Sequence, residues 1–211
     1  MLEITHSNEP VGLKAFRELL LRNGIRITRD SWKKFSDYDQ NASRRELKQT
    51  LFHLQHGCCA YCERKIQKTD CHIDHVEPRG RSETEHLTLT FSNMVISCNS
   101  QLTCGTSKHH HRLPIQPRPG ANENFQLIAD SGKLQPSRHD TAAHAKSCIY
   151  NILNLNSPYL CEERRLAVIR IRNNMQRLKE MGLGDEIEAY LSFACRPGVS
   201  YSPTLANFFR M

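Results

Sequence analysis

Residues 58–112 read CCAYCERKIQKTDCHIDHVEPRGRSETEHLTLTFSNMVISCNSQLTCGTSKHHHR, and the cysteines in this stretch decide the fold. Cys59-Ala-Tyr-Cys62 is a C-x2-C pair, and Cys98 and Cys104 form a second, looser C-x5-C pair. Two close pairs with a segment between them have the spacing of a structural zinc site, because one short loop supplies two corners of a tetrahedron. Cys58 is a rival for Cys59, but it would give C-x3-C, so Cys59 is preferred. Cys71, Cys148, Cys161 and Cys195 lie outside the framework and read as small buried hydrophobes. Nine cysteines is an odd number, and MLEITHSNEP shows no basic region followed by an apolar run. The expectation is a cytoplasmic protein whose clustered thiols bind metal rather than each other.

Composition agrees. Only 38% of the 211 residues are hydrophobic, so a metal staple would support a thin core. No window approaches the roughly 18 apolar residues of a membrane span. Lysine and arginine number 29 against 22 acidic residues, a net charge of +7. The excess is spread along the chain without a polybasic tail. Charge alone therefore reads as solvated faces, and a nucleic-acid partner needs support from a site.

Outward from the module the chain reads as helical. Leu13, Phe16 and Leu20 lie near helical spacing in 11–23, and Gly24 stops that helix. Leu47, Leu51 and Leu54 line one face of 43–56, with Ser43 and Glu46 as a capping box and Gly57 as the stop. The region rich in proline and turns, 113–140, reads as an irregular arm with a short hairpin around Asp130-Ser131-Gly132. One helix is expected over 141–155. A long one opens at Ser157-Pro158 and runs to about Met181, with Leu160, Val168, Ile171, Met175 and Leu178 inward. Shorter helices cover 185–195 and about 202–209. The organisation is thus a helical segment 1–57, a module 58–112, an arm 113–140 and a helical region 141–211. The class is α+β, with a zinc-stapled module in a mainly α-helical chain.

The chemistry lies between the cysteine pairs. Asp74 is a hard oxygen ligand suited to Mg²⁺ or Mn²⁺. His75 beside it can be neutral at pH 7 and take a proton from water. Asn99 offers a second hard ligand. His72 shares the Asp74 face on a strand; a structural hydrogen bond is the expected role, contact with metal or phosphate the alternative. Lys108, Arg79 and Arg81 are candidates for gripping phosphate. Glu77 reads as a solvated loop charge and Tyr61 as packing; the run His109, His110, His111 looks like a metal tract, and for His109 alone a phosphate-side or loop role is the leading reading.

The order C-x2-C, Asp-His-x-x-Pro, Asn, Cys-Asn, Lys resembles the HNH endonucleases and implies their ββα-metal fold. By that resemblance Asp74 is the acidic metal ligand and His75 the general base. Asn93 is the middle residue that orients the base, and Asn99 completes the metal site. Cys59, Cys62, Cys98 and Cys104 match the zinc knuckles. The usual Cys-x-x-Cys before the last motif residue is missing, which sets Cys104 apart as fourth ligand. Gln55–Glu63, His75–Gly80, Leu113-Pro-Ile and Leu153–Asn156 before an arginine-rich helix look like the PtuB-like HNH nucleases of Septu and retron anti-phage systems. That resemblance implies defence by cleavage of DNA, or of an RNA such as a tRNA. It also implies a PtuA-like ATPase of the ABC/SMC kind docked on the helices 141–181, and a retron reverse transcriptase with its RNA–DNA product. The rival reading is an inactive zinc adaptor binding nucleic acid or protein. An adaptor needs the cysteines but has no use for Asp74, His75, Asn93 and Asn99 together.

Overall fold

The computed structural model of the protein describes residues 1–210; the last position of the region 141–211 lies outside them. At the centre, β1 (Cys71–His75) pairs antiparallel with β2 (Met94–Cys98), Cys71 opposite Cys98 and His75 opposite Met94. All five β2 residues are buried, because material covers both faces. The Gln55 side chain occupies the far edge of β2. Its Oε1 accepts the Ile96 N–H at 2.6 Å, and its Nε2 donates to the Ile96 carbonyl at 2.9 Å. After β2 the chain forms the short helix α4 (Cys104–Lys108), which packs on β2. The order strand, strand, short helix therefore follows Cys62, with Cys98 ending the second strand and Cys104 opening the helix.

Three N-terminal helices precede it: α1 (Val11–Arg22), α2 (Ser31–Asp37) and α3 (Ala42–Leu54). Leu13, Phe16 and Leu20 of α1 and Leu47 and Leu51 of α3 are buried, as their spacing requires. The capping box does not form. The Asp39 carboxylate accepts the Ser43 N–H at 3.0 Å and its hydroxyl at 2.5 Å, while Glu46 turns to the Gly12 N–H at 3.2 Å. The chain enters α3 through three left-handed residues, Asp39, Gln40 and Asn41, which put the Asp39 side chain where a cap is needed.

The arm contains the hairpin β3 (Phe125–Ile128) and β4 (Lys133–Pro136), with Gly132 at φ +65° in its turn. The expected helix 141–155 is not uniform. α5 (Ala142–Lys146) runs into a π-helical turn over Ser147–Ile152, closed by the Leu153 N–H on the Cys148 carbonyl at 3.1 Å. The wider turn lets Cys148, Ile149, Ile152 and Leu153 all reach the interior. α6 (Pro158–Glu180) follows with Ser157 and Pro158 at its start, then α7 (Ile187–Ala194) and α8 (Ser202–Arg210). One continuous buried cluster runs from Ile4 and Leu13 through Leu47, Cys59 and Ile96 to Leu160, Val168 and Leu205. Among the described residues no helix is long and apolar enough to cross a membrane.

Candidate metal centre and active site

The ligand atoms of Cys59, Cys62, Cys98 and Cys104 lie within 4.8 Å of one another, and all four residues are buried. Four sulfurs at about 2.3 Å from a common centre would stand roughly 3.8 Å apart, so the cluster suits a tetrahedral ion. No disulfide joins any of them, and the Cys98 N–H donates to Cys59 Sγ at 3.4 Å. The donor set therefore fits zinc. Cys104 reaches the cluster because its backbone is left-handed, φ +59°, with its N–H on the Leu153 carbonyl at 2.9 Å. Five intervening residues thus close the same square that a tighter knuckle would. Cys58 stays outside it, and burial pushes its thiol up to about 11.

β1 carries the polar groups. Asp74 is partly open to solvent and is held by one oxygen. Its Oδ2 accepts from the Tyr61 hydroxyl at 2.5 Å and lies 3.4 Å from Lys108 Nζ. Tyr61, read as packing from sequence, thus reaches from within the Cys59–Cys62 knuckle to the acidic residue. Lys108 corrects the expectation of a phosphate contact. It is 0% exposed, and its ammonium donates to the His75 carbonyl at 2.6 Å. The Asp74 carboxylate draws that charge inward, and Lys108 ties α4 to β1.

His75 points to the other side of the strand and is 5% exposed. Its Nε2 lies 2.9 Å from the Thr88 carbonyl, and the Trp32 indole of α2 stands edge-on to the ring at 4.8 Å. A carbonyl only accepts, so Nε2 carries the proton and Nδ1 keeps its lone pair. Burial lowers the His75 pKa to about 4, leaving the ring neutral at pH 7. Trp32 is the chain's single tryptophan, and nothing in its sequence surroundings pointed to this contact.

Asn93 does not orient the His75 ring through its amide. Its Oδ1 accepts the Glu77 N–H at 2.7 Å, and its Nδ2 donates to the Glu77 carbonyl at 3.1 Å. It fixes the turn that leaves β1 two residues after His75. Glu77 is not a solvated charge. It is buried and paired with Arg112 at 2.8 Å and Gln116 at 2.6 Å, which ties this turn to the arm. Arg79 and Arg81 are exposed on the loop that follows, Arg79 on the Arg29 carbonyl at 3.4 Å and Arg81 on the His110 carbonyl at 3.2 Å. His109, His110 and His111 are exposed beside them. Asn99, just past β2, does not approach Asp74 through any hydrogen bond; its Oδ1 meets His72 Nδ1 at 2.9 Å.

A four-sulfur cluster able to hold a metal ion thus lies beside a strand that carries an aspartate and a neutral, buried histidine. No family model matches the chain. It is 29% identical over 179 residues to a protein of Vibrio cholerae serotype O1 biovar El Tor named "Retron Vc95 putative HNH endonuclease". The match covers 81% of this chain and 84% of that one. The chain is thus similar, over most of its length, to an HNH endonuclease of a retron, the class that the motifs of 58–112 resemble.

Proposed function

We propose that the protein is a metal-dependent HNH endonuclease that hydrolyses nucleic-acid phosphodiester bonds in anti-phage defence. β1, β2 and α4 would be its ββα-metal core and zinc its structural ion. The observation that carries this reading is His75: neutral, with Nε2–H engaged on the Thr88 carbonyl and Nδ1 left to accept a proton, directly after Asp74. His75 would take a proton from the attacking water at Nδ1. Thr88 and Trp32 keep the ring in one tautomer and one orientation. Lys108 and Tyr61 hold Asp74, and Asn93 holds the turn behind the base. A divalent ion such as Mg²⁺ or Mn²⁺ at Asp74 supplies charge stabilisation for the scissile phosphate and its leaving oxygen. Arg79 and Arg81 are exposed cations on the adjoining loop, suited to the flanking backbone.

The retron in the relative's name supports a defence role, with a reverse transcriptase and its RNA–DNA product as partners in the cytoplasm. The Septu side of the resemblance adds a PtuA-like ATPase. Exposed apolar side chains on and between α6 and α7, namely Leu166, Ile169, Met181, Leu183 and Phe193, support docking there. An inactive adaptor would have no need of both a neutral histidine and a carboxylate at successive positions of one strand. The test is nicking of plasmid DNA and cleavage of total RNA with Mg²⁺ or Mn²⁺, with EDTA as control and with the neighbouring operon products present. Cleavage lost in EDTA and in His75→Gln supports the nuclease. A His75→Gln protein that cuts like wild type removes the base from the mechanism.

A further inference from the structure

Asp74 alone would hold a divalent ion poorly, and the residue that follows the second knuckle cysteine is no help. With Cys104 as that cysteine, the next position is Gly105, at the start of α4, and it has no side chain to offer. The space in front of Gly105 is filled from β1. A Cβ built there would stand 2.7 Å from His72 Nε2 and 2.8 Å from Ser97 Oγ. Ser97 is the cross-strand partner of His72, and its Oγ accepts the Gly105 N–H at 3.0 Å. The first turn of α4 is therefore seated on the His72–Ser97 pair, and a side chain at Gly105 would displace one or both of them.

His72 is set up as a ligand. Asn99 Oδ1 faces its Nδ1 at 2.9 Å, and an amide oxygen accepts, so Nδ1 carries the proton and Nε2 is left with its lone pair. An oxygen acceptor behind one ring nitrogen is the usual companion of a metal-binding imidazole, fixing both tautomer and ring plane. His72 and Asp74 are two apart on β1 and project from the same face. Both are partly open to solvent. The hydrogen bond and ion pair of Asp74, from Tyr61 and Lys108, both go to Oδ2, so Oδ1 has no partner among the described residues. One face of one strand thus presents two unengaged donor atoms, His72 Nε2 and Asp74 Oδ1.

We infer that His72 and Asp74 together are the protein's ligands for the divalent ion, with Asn99 as the positioning residue behind His72 rather than a ligand. The inference rests on the nuclease reading, since it concerns that site's ion. It has a consequence for ion choice. An imidazole nitrogen favours Mn²⁺ over Mg²⁺, which prefers oxygen and water, so Mn²⁺ binds more tightly and Mg²⁺ competes weakly.

The experiment is Mn²⁺ titration of the zinc-loaded full chain, followed by loss of the free Mn²⁺ electron-spin-resonance signal. Zinc content is measured on every variant to show that the knuckle is intact. The inference expects one Mn²⁺ per chain, binding abolished in Asp74→Ala and strongly weakened in His72→Ala. Asn99→Leu should weaken binding by about 10-fold, the usual effect of removing an orienting partner, and Asn99→Asp should restore it. Zinc-replete Asn99→Leu losing more affinity than His72→Ala overturns the inference and makes Asn99 the ligand. Asp74→Ala losing Mn²⁺ while His72→Ala binds like wild type overturns it too, yet leaves the nuclease reading standing. Wild type and Asp74→Ala alike failing to bind Mn²⁺, with no cleavage in either, overturns both.

Discussion

At the residue scale, the sequence places chemistry-bearing groups near one another without saying which are spent on structure. Lys108 follows a basic, histidine-rich pattern that suits phosphate, yet its ammonium serves the interior, on Asp74 and the His75 carbonyl. Lys108→Met should therefore cost stability as well as activity, by about 1.5–3 kcal/mol, the range for a hydrogen bond to a charged group. Chemical denaturation checks this, and an unchanged midpoint would return Lys108 to the substrate. Asp74 and His75 stand out in the sequence because their types and adjacency suit the proposed chemistry. The environment of His75 is not legible, since Trp32 and Thr88 come from distant segments. That environment also decides which variant tests the base. His75→Ala would leave a cavity against Trp32, so Gln is the better probe of the base. It also fixes the pH response. The folded pKa, about 4, lies below the ordinary 6.5, so the unfolded chain binds the proton first. Stability from this group is complete above about pH 6.5 and is lost as pH falls towards 4. The ring stays neutral in that window, so cleavage per folded molecule should not drop through pH 6.5. Rates at pH 5.5 and 7.5, at saturating Mn²⁺ and corrected for folded fraction, test it; a midpoint near 6.5 that persists at saturating Mn²⁺ would indicate a solvated base.

At the element scale, periodic helices are the most legible and their punctuation the least. The faces of α1, α3 and the first half of α6 follow from leucine spacing. The cap of α3 does not, because Asp39 reaches it only through three left-handed residues that no local pattern announces. The hairpin turn at Gly132 is readable as a turn, but its second duty is tertiary. A Cβ there would stand 1.9 Å from the Cys161 carbonyl oxygen and 2.9 Å from the Arg165 amide nitrogen of α6. Arg164, 1% exposed, donates to the Gly132 carbonyl at 2.7 Å and to the Leu155 carbonyl, so the turn is also pinned electrostatically. Gly132→Ala adds a left-handed alanine to a backbone overlap that neither element can relieve alone. It should destabilise by about 2–4 kcal/mol, combining the two costs. A urea midpoint unchanged from wild type would mean that the hairpin and α6 separate freely.

At the scale of the whole molecule, the zinc module cannot be lifted out of its surroundings. Gln55 completes the edge of β2, Trp32 closes over His75, Arg112 and Gln116 hold Glu77, and the Leu153 carbonyl anchors Cys104. The sequence marks where the cysteines are, but the long-range partners that knit the four segments into one core are invisible to periodicity. The zinc prediction follows from this connectivity. A filled four-sulfur site is worth on the order of 10 kcal/mol of folding free energy, comparable to the whole stability of a domain. Its four corners come from the Cys59–Cys62 loop, the end of β2 and the start of α4, so ion loss frees three elements that also carry Gly105 and the two partners of Asp74, Tyr61 and Lys108. Cys59→Ser should therefore lose zinc, lower the melting temperature steeply and abolish cleavage, and added Mn²⁺ should not rescue it. His75→Gln should keep one zinc per chain while losing cleavage, because its ring touches none of the four sulfurs. Elemental analysis paired with melting curves of the two variants separates the roles. A Cys59→Ser protein that melts like wild type without zinc would show that packing alone holds the knuckle.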